Sequence, residues 1–184
     1  MRNLSFLLAC ALAAAGCSSV PVTKDGKAVP GALSDAADAG KYGKVLKLLD
    51  LGADPNEVDK DGQTPLMQAA FWGHTKVARL LIERGARVDQ AVPSFRFTAL
   101  MKAAENGNTD TVRLLLEKGA SIDAETMSGE TALAFAAYDD QEATARFLLE
   151  KGASRDKAMA YLQKSAARIR NAARGLKMLQ DMRR

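Results

Sequence analysis

The residues able to carry acid–base or nucleophilic chemistry are few in this chain. Histidine occurs once, as His74, and cysteine twice, as Cys10 and Cys17. A serine–histidine–aspartate relay has only His74 to use, and no nucleophile-elbow sequence occurs. Beyond Cys17 there is no cysteine, which excludes a disulfide, a thiolate metal site or a cysteine nucleophile from the remainder. A metal would need carboxylates alone, since Cys/His clusters are missing. Asp54, Asp59, Asp61, Asp139 and Asp140 sit at turns, where aspartate is common for its own hydrogen-bonding reasons. No glycine-rich phosphate loop follows a strand pattern. These residue types argue against an enzyme, and neither cofactor nor metal is expected.

The chemistry that remains is acylation. Met1-Arg2-Asn3 is a short positive start, Leu4 to Ala15 is mostly apolar, and Gly16-Cys17 follows. This is the layout of a secretory signal, too short to span a bilayer at about 20 residues per crossing. The ending Ala14-Ala15-Gly16-Cys17 resembles the lipobox of bacterial lipoproteins. The resemblance implies that residues 1–16 are removed, that Cys17 is lipidated, and that the protein is anchored on the periplasmic side of the envelope. Ser18 behind it resembles an outer-membrane sorting signal. Cys10 also fits the short pattern but leaves an apolar core of only six residues. Residues 17–30 carry two prolines and no helical periodicity, so a flexible linker is expected, reaching some 40 Å at about 3.3 Å per residue.

From residue 31 the chain repeats itself. Gly52-Ala53, Gly85-Ala86, Gly119-Ala120 and Gly152-Ala153 recur at steps of 33, 34 and 33 residues. Leu33, Leu66, Leu100 and Leu133 keep this register, as do alanine pairs at 36/37, 69/70, 103/104 and 136/137 and the threonines 64, 98 and 131. In one unit, Thr64 is placed to cap a helix whose first turn holds Pro65. Leu66, Ala69 and Ala70 form its apolar side, and Gly73 ends it. A second helix runs through Val77, Leu80 and Leu81 to Gly85. Two such helices cannot bury their apolar faces alone, whereas stacked units share one core.

The run Asp61-Gly62-Gln63-Thr64-Pro65-Leu66, with Ala69-Ala70, Gly73-His74, Leu80-Leu81 and Gly85-Ala86, resembles the ankyrin repeat. The fold implied is an all-α ankyrin-repeat solenoid of about four helix-turn-helix units with a C-terminal capping helix. The units are 31–57, 58–90, 91–123 and 124–156. Met67, Met101 and Ala134 replace the family's histidine after Thr-Pro-Leu, and Asp140 stands where a glycine would. The third unit carries one extra residue between Val92 and Phe97. The first unit is read as an N-terminal cap lacking the upstream hairpin. The resemblance gives His74 a capping or loop-packing role.

With 47% hydrophobic and 26% charged residues the chain reads as an ordinary folded protein. Its charge is uneven: residues 155–184 hold nine Lys/Arg against two acids, residues 17–154 sixteen against twenty. The basic segment 157–184 places Met159, Leu162, Ala166, Ile169, Ala173 and Leu176 at helical spacing. That stripe suits either a cover for the open end of the stack or a short coiled coil. Lys164, Arg168, Arg170, Arg174 and Lys177 read as its solvated face, so nucleic acid is not an expected partner.

In ankyrin proteins the hairpin tips and exposed first-helix positions line a concave partner-binding face. Carried over, these are Lys60, Asp61, Gln63, Phe71 and Trp72 in the second unit. In the third they are Ser94, Phe95, Phe97, Glu105 and Asn106, and in the fourth Met127, Ser128, Glu130, Tyr138 and Asp139. Five of the nine aromatic residues after Cys17 fall in this set, and large rings serve as interface anchors. The expectation is a membrane-tethered periplasmic scaffold or adaptor with another protein as partner. An immunity or inhibitor protein, or a helper for an exported enzyme, would use the same face.

Overall fold

A computed structural model describes residues 20–24, 26–166 and 170–182. The lipobox and both cysteines lie outside the described residues. The four units supply eight helices: α1 Ala32–Asp38, α2 Tyr42–Asp50, α3 Pro65–Phe71, α4 Thr75–Glu83, α5 Ala99–Glu105, α6 Thr109–Glu117, α7 Ala132–Tyr138 and α8 Glu142–Glu150. First helices α1, α3, α5 and α7 stack on one another, and the second helices form a looser outer layer.

The caps follow the sequence. Thr64, Thr98 and Thr131 Oγ1 accept from the backbone N–H groups of Met67, Met101 and Ala134 at 3.2, 3.4 and 3.2 Å, and Pro65 occupies the first helical turn. The four alanine pairs are buried. With only a methyl group at these positions, neighbouring helices approach closely, and Leu33, Leu66, Leu100 and Leu133 fill the space between them.

His74, Asn108 and Gln141 form a ladder on the same period. Each side chain reaches back beneath the first helix of the preceding unit. His74 Nε2 donates to the Asp38 carbonyl at 3.0 Å. Asn108 Nδ2 donates to the carbonyls of Ala70 and Phe71 at 3.0 and 2.7 Å. The Asn108 amide occupies the space a Cβ on Gly73 would need, 2.5 Å from Oδ1, and Gly73 has φ of 71°. His74 makes no side-chain cap bond, so its role is the loop-packing one. A second ladder joins the loops: Asn56 Oδ1 accepts from Arg87 N–H, Asp89 from Ser121 and Asp123 from Ser154, at 2.8 to 3.0 Å.

Three expectations are corrected. Residues 20–30 are not a flexible linker, and the first unit does not lack its hairpin. Thr23 N–H bonds the Lys27 carbonyl at 2.8 Å, Val22 pairs with Ala28, and Val29 N–H bonds the Pro21 carbonyl at 3.2 Å. The Thr23–Lys27 bond has the register of Asp59–Gln63 and Thr126–Glu130 in later units. Val20, Ala28 and Val29 pack against the core.

The C-terminal segment is two helices rather than one, α9 Arg155–Ala166 and α10 Arg170–Asp181. They pack antiparallel, with an Arg155 guanidinium nitrogen on the Leu179 carbonyl, and both lie against α7. The end of the stack is thus capped by a hairpin. Within α10 the buried positions are Ala172, Gly175 and Leu179. Ala173, expected on the apolar stripe, is exposed, because a stripe continued from α9 does not carry its register across the break. At the Gly175 crossing a Cβ would stand 2.6 Å from the Ala137 carbonyl oxygen. Arg174 pairs with Asp140 at 3.0 Å and Lys157 with Glu125 at 2.6 Å, so part of the basic face is tied to the fourth unit.

Candidate functional site

The hairpins and the first helices line one face. In the second and fourth hairpins a polar side chain organises the turn. Asp59 Oδ1 accepts from the N–H groups of Asp61 and Gln63 at 2.9 and 2.8 Å, and Oδ2 from Gln68 Nε2 at 3.0 Å. Thr126 Oγ1 accepts from Ser128 and Glu130 N–H and donates to the Glu130 carboxylate. In the third hairpin the equivalent residue is Val92, which is buried and has no such group. The added residue widens the turn. Val92 N–H bonds the Phe97 carbonyl at 3.0 Å, Arg96 N–H bonds the Val92 carbonyl at 2.7 Å, and Arg96 takes a φ of 62°. That wider loop carries Phe95 outward and Phe97 inward.

The rings divide by depth. Phe71, Phe97, Phe135 and Tyr138 are half-buried, whereas Trp72, Phe95 and Met127 are exposed at 55%, 60% and 70%. Phe97 stands 5.6 Å from Phe135 and 6.1 Å from Phe95 between ring centroids. Phe71 and Trp72 meet edge to face at 5.1 Å. The Trp72 indole N–H donates to Asp38 of the preceding unit, which fixes the exposed ring. Met127 N–H bonds the Phe95 carbonyl at 3.2 Å, locking the third and fourth hairpins together.

Lys102 lies at the centre of this cluster. Its Nζ is 4.6 Å from the Phe97 centroid, 5.5 Å from that of Phe71 and 3.0 Å from Glu105 Oε2. A cation over aromatic faces and against a carboxylate is held electrostatically from both sides. Asp139 follows in the next unit, and burial, with the nearby Glu105 carboxylate second, raises its carboxyl above the usual aspartate value. Lys60, Asp61 and Gln63 line a groove of about 590 Å³ that runs between two hairpins to Phe95, Phe97 and Lys102. Below the fourth hairpin, Tyr161 of α9 donates to Glu130 Oε1 at 2.7 Å. Burial and this bond raise the phenol above its ordinary value.

Most of the expected face residues therefore fall into one connected set. Phe71, Phe97 and Glu105 surround Lys102, Phe95 joins Met127, and Lys60, Asp61 and Gln63 form one groove wall. Tyr138 stands apart on the side of the capping hairpin, where it is the neighbour of Tyr161. Sequence reasoning missed Lys102, Phe135 and Gln68. The signal was present: residues 35, 68, 102 and 135 share one repeat register, one helical turn before 38, 71, 105 and 138. Among the described residues no group of three or more His, Cys, Asp or Glu side chains is arranged to hold a metal.

Residues 33–126 and 88–159 match the family described as ankyrin repeats in three copies. An ankyrin repeat-containing protein of Schizosaccharomyces pombe is 43% identical over 54 residues, 29% of this chain and 26% of that protein. The ankyrin repeat and KH domain-containing protein mask of Drosophila melanogaster is 44% identical over 69 residues, 37% of this chain and 2% of its own length. Cyclin-dependent kinase 4 inhibitor B of Rattus norvegicus is 40% identical over 62 residues, 34% of this chain and 47% of that protein. The matches thus span less than half of each relative. Together with the stacked helix pairs, the capping threonines and the recurring hairpins, the match across 33–159 places this chain in the ankyrin-repeat family, a protein-interaction module.

Proposed function

We propose that this protein is a membrane-tethered periplasmic scaffold or adaptor that grips a protein partner on its hairpin face. The observation that carries the reading is the depth order of the apolar side chains. Trp72, Phe95 and Met127 are exposed, whereas Phe97 and Phe135 pack against the core and Phe71 is half-buried beside Trp72. Large apolar side chains on a rigid support, held before any partner arrives, bind with little further ordering. The tether rests on Ala15-Gly16-Cys17-Ser18. Acyl chains on Cys17 stabilise membrane attachment by roughly 0.8 kcal/mol per buried methylene.

A second reading, inhibition of a partner enzyme or toxin, draws on the relative whose name states that it inhibits a cyclin-dependent kinase. The same face would then block the partner rather than hold it.

The test is cross-linking capture in the periplasm with the tagged, exported protein, followed by mass spectrometry. A parallel sample carries Trp72→Ala and Phe95→Ala after circular dichroism confirms folding. One dominant partner lost in the double variant supports the hairpin face. The same partner held equally well by the variant overturns it. Assay of the captured partner with and without this protein separates a scaffold from an inhibitor.

A further inference from the structure

The two ends of the stack are finished differently. The far end is covered by α9 and α10. Among the described residues no helix precedes α1, and α1 and α2 carry a groove of about 630 Å³ on that side. Val20, Ala36, Ala39 and Tyr42 form its apolar lining, and Lys41, Lys44 and Lys47 its basic one, with Asp35 at the rim. Tyr42 is 46% exposed and Val22 49%. Lys24 and Lys27 lie on the first hairpin, which follows Val20, and both are exposed.

The chain enters the fold at this same place. Val20 lines the groove, and the hairpin behind it is hydrogen-bonded from Pro21 to Val29. Cys17 therefore stands three residues from a docked side chain, so an acyl anchor there has a reach of only about 10 Å, at roughly 3.3 Å per residue. A protein held that closely cannot float clear of the bilayer. With Cys17 acylated, the surface around Val20 would lie against the headgroups.

We infer that the open N-terminal end of the stack docks on the membrane, with Lys24, Lys27, Lys41 and Lys44 on anionic phospholipid headgroups and Tyr42 at the interface. This rests on the acylation of Cys17 proposed above. Lysine beside an anionic leaflet adds roughly fivefold to membrane affinity per residue, and an amphipathic tyrosine ring suits the headgroup layer. The stack then rises from the membrane with its capping hairpin outermost, and its partner-binding face opens sideways.

Two readouts test this on the full protein purified from its envelope. Peptide mass spectrometry first determines whether Cys17 carries acyl chains. The protein is then inserted into vesicles of phosphatidylethanolamine with one quarter phosphatidylglycerol, and lysines are labelled with an amine-acylating reagent, against detergent micelles as reference. The expected result is labelling of Lys41 and Lys44 slowed about fivefold or more in vesicles, with Lys118 unchanged. In Lys41→Glu/Lys44→Glu protein the acyl chain keeps it on the vesicle, but Lys24 and Lys27 lose protection. Acylated, vesicle-bound protein whose Lys41 and Lys44 label as fast as in micelles overturns the docking and leaves the tether standing. Protection that persists in micelles and grows with protein concentration assigns the face to a second copy and also overturns it. An unmodified Cys17 overturns the tether itself, and the inference with it.

Discussion

The Lys102 ammonium stands 4.6 Å from the centroid of Phe97, so the third unit supplies both the cation on the candidate face and the ring that holds it. Phe97 directly precedes the capping Thr98, the register that Gln63 and Glu130 hold before Thr64 and Thr131, and there a ring replaces their polar side chains. Glu105, at 3.0 Å, completes the site with the opposite charge.

Removing the cation therefore leaves Glu105 beside Asp139 without compensation. Lys102→Ala is expected to destabilise the protein by about 1–2 kcal/mol, the range for a partly desolvated cation–π contact. Lys102→Arg should retain most of that. Urea denaturation followed by circular dichroism makes the comparison.

Exposed anchors behave in the opposite way. Phe95→Ala and Met127→Ala should each change stability by only about 0.5 kcal/mol, as for ordinary surface positions. Each should weaken partner binding by about 2 kcal/mol if it is a hot spot. Calorimetry on the captured partner, beside thermal melts, separates the two effects. Equal losses in both measurements would make these side chains structural.

Asn108→Ala leaves two carbonyls, on Ala70 and Phe71, without their side-chain donor. The Ala70 carbonyl keeps its bond from Gly73 N–H, so the expected loss is about 1–3 kcal/mol, chiefly from the Phe71 carbonyl. Hydrogen exchange should show the loosening at the junction of the second and third units.

Gly175→Ala sets two effects against each other. Helix propensity alone favours alanine by about 1 kcal/mol. The added Cβ meets the Ala137 carbonyl oxygen at 2.6 Å, and overpacking of this kind costs about 1–3 kcal/mol. A lowered melting temperature is expected, with exchange in α10 and at the end of α7 rising first. A raised melting temperature would show that the hairpin does not pack there.

Glu57 gives the protein a pH dependence of defined sign. Burial, partly offset by backbone hydrogen bonds from Gly31 and Leu33, raises its carboxyl above the usual value of 4.5, and Oε1 is buried without a hydrogen-bond partner among the described residues. A carboxyl raised on folding contributes stability that is full below the unfolded value and is lost as pH rises through the folded one. Glu57→Gln should therefore raise the melting temperature at pH 7, and the difference from the natural protein should vanish below about pH 4.

The repeat, its caps and its glycines were legible in the sequence because each depends on contacts within one unit or between identical neighbours. Thr64, Leu66 and Ala69-Ala70 do the same work at every step, so their period exposes them. The first hairpin was legible too: Lys24-Asp25-Gly26 echoes Lys60-Asp61-Gly62 at 36 residues rather than 33 or 34, a spacing that hid it inside an apparent linker. Lys102 was not recognised, because a lysine on an exposed helix position looks like solvated charge until the rings around it are placed.

By itself the sequence determined the family, the number of units and most of the residues on the candidate face. Only the tertiary structure decided which rings on that face are support and which stand free. It also decided that the tail folds back as a hairpin over α7, and that the chain from Val20 onward is docked on the first unit. The division has a physical cause. Repeated local packing is encoded in periodic residue types, whereas depth, crossing distance and reach depend on where non-repeating segments come to rest.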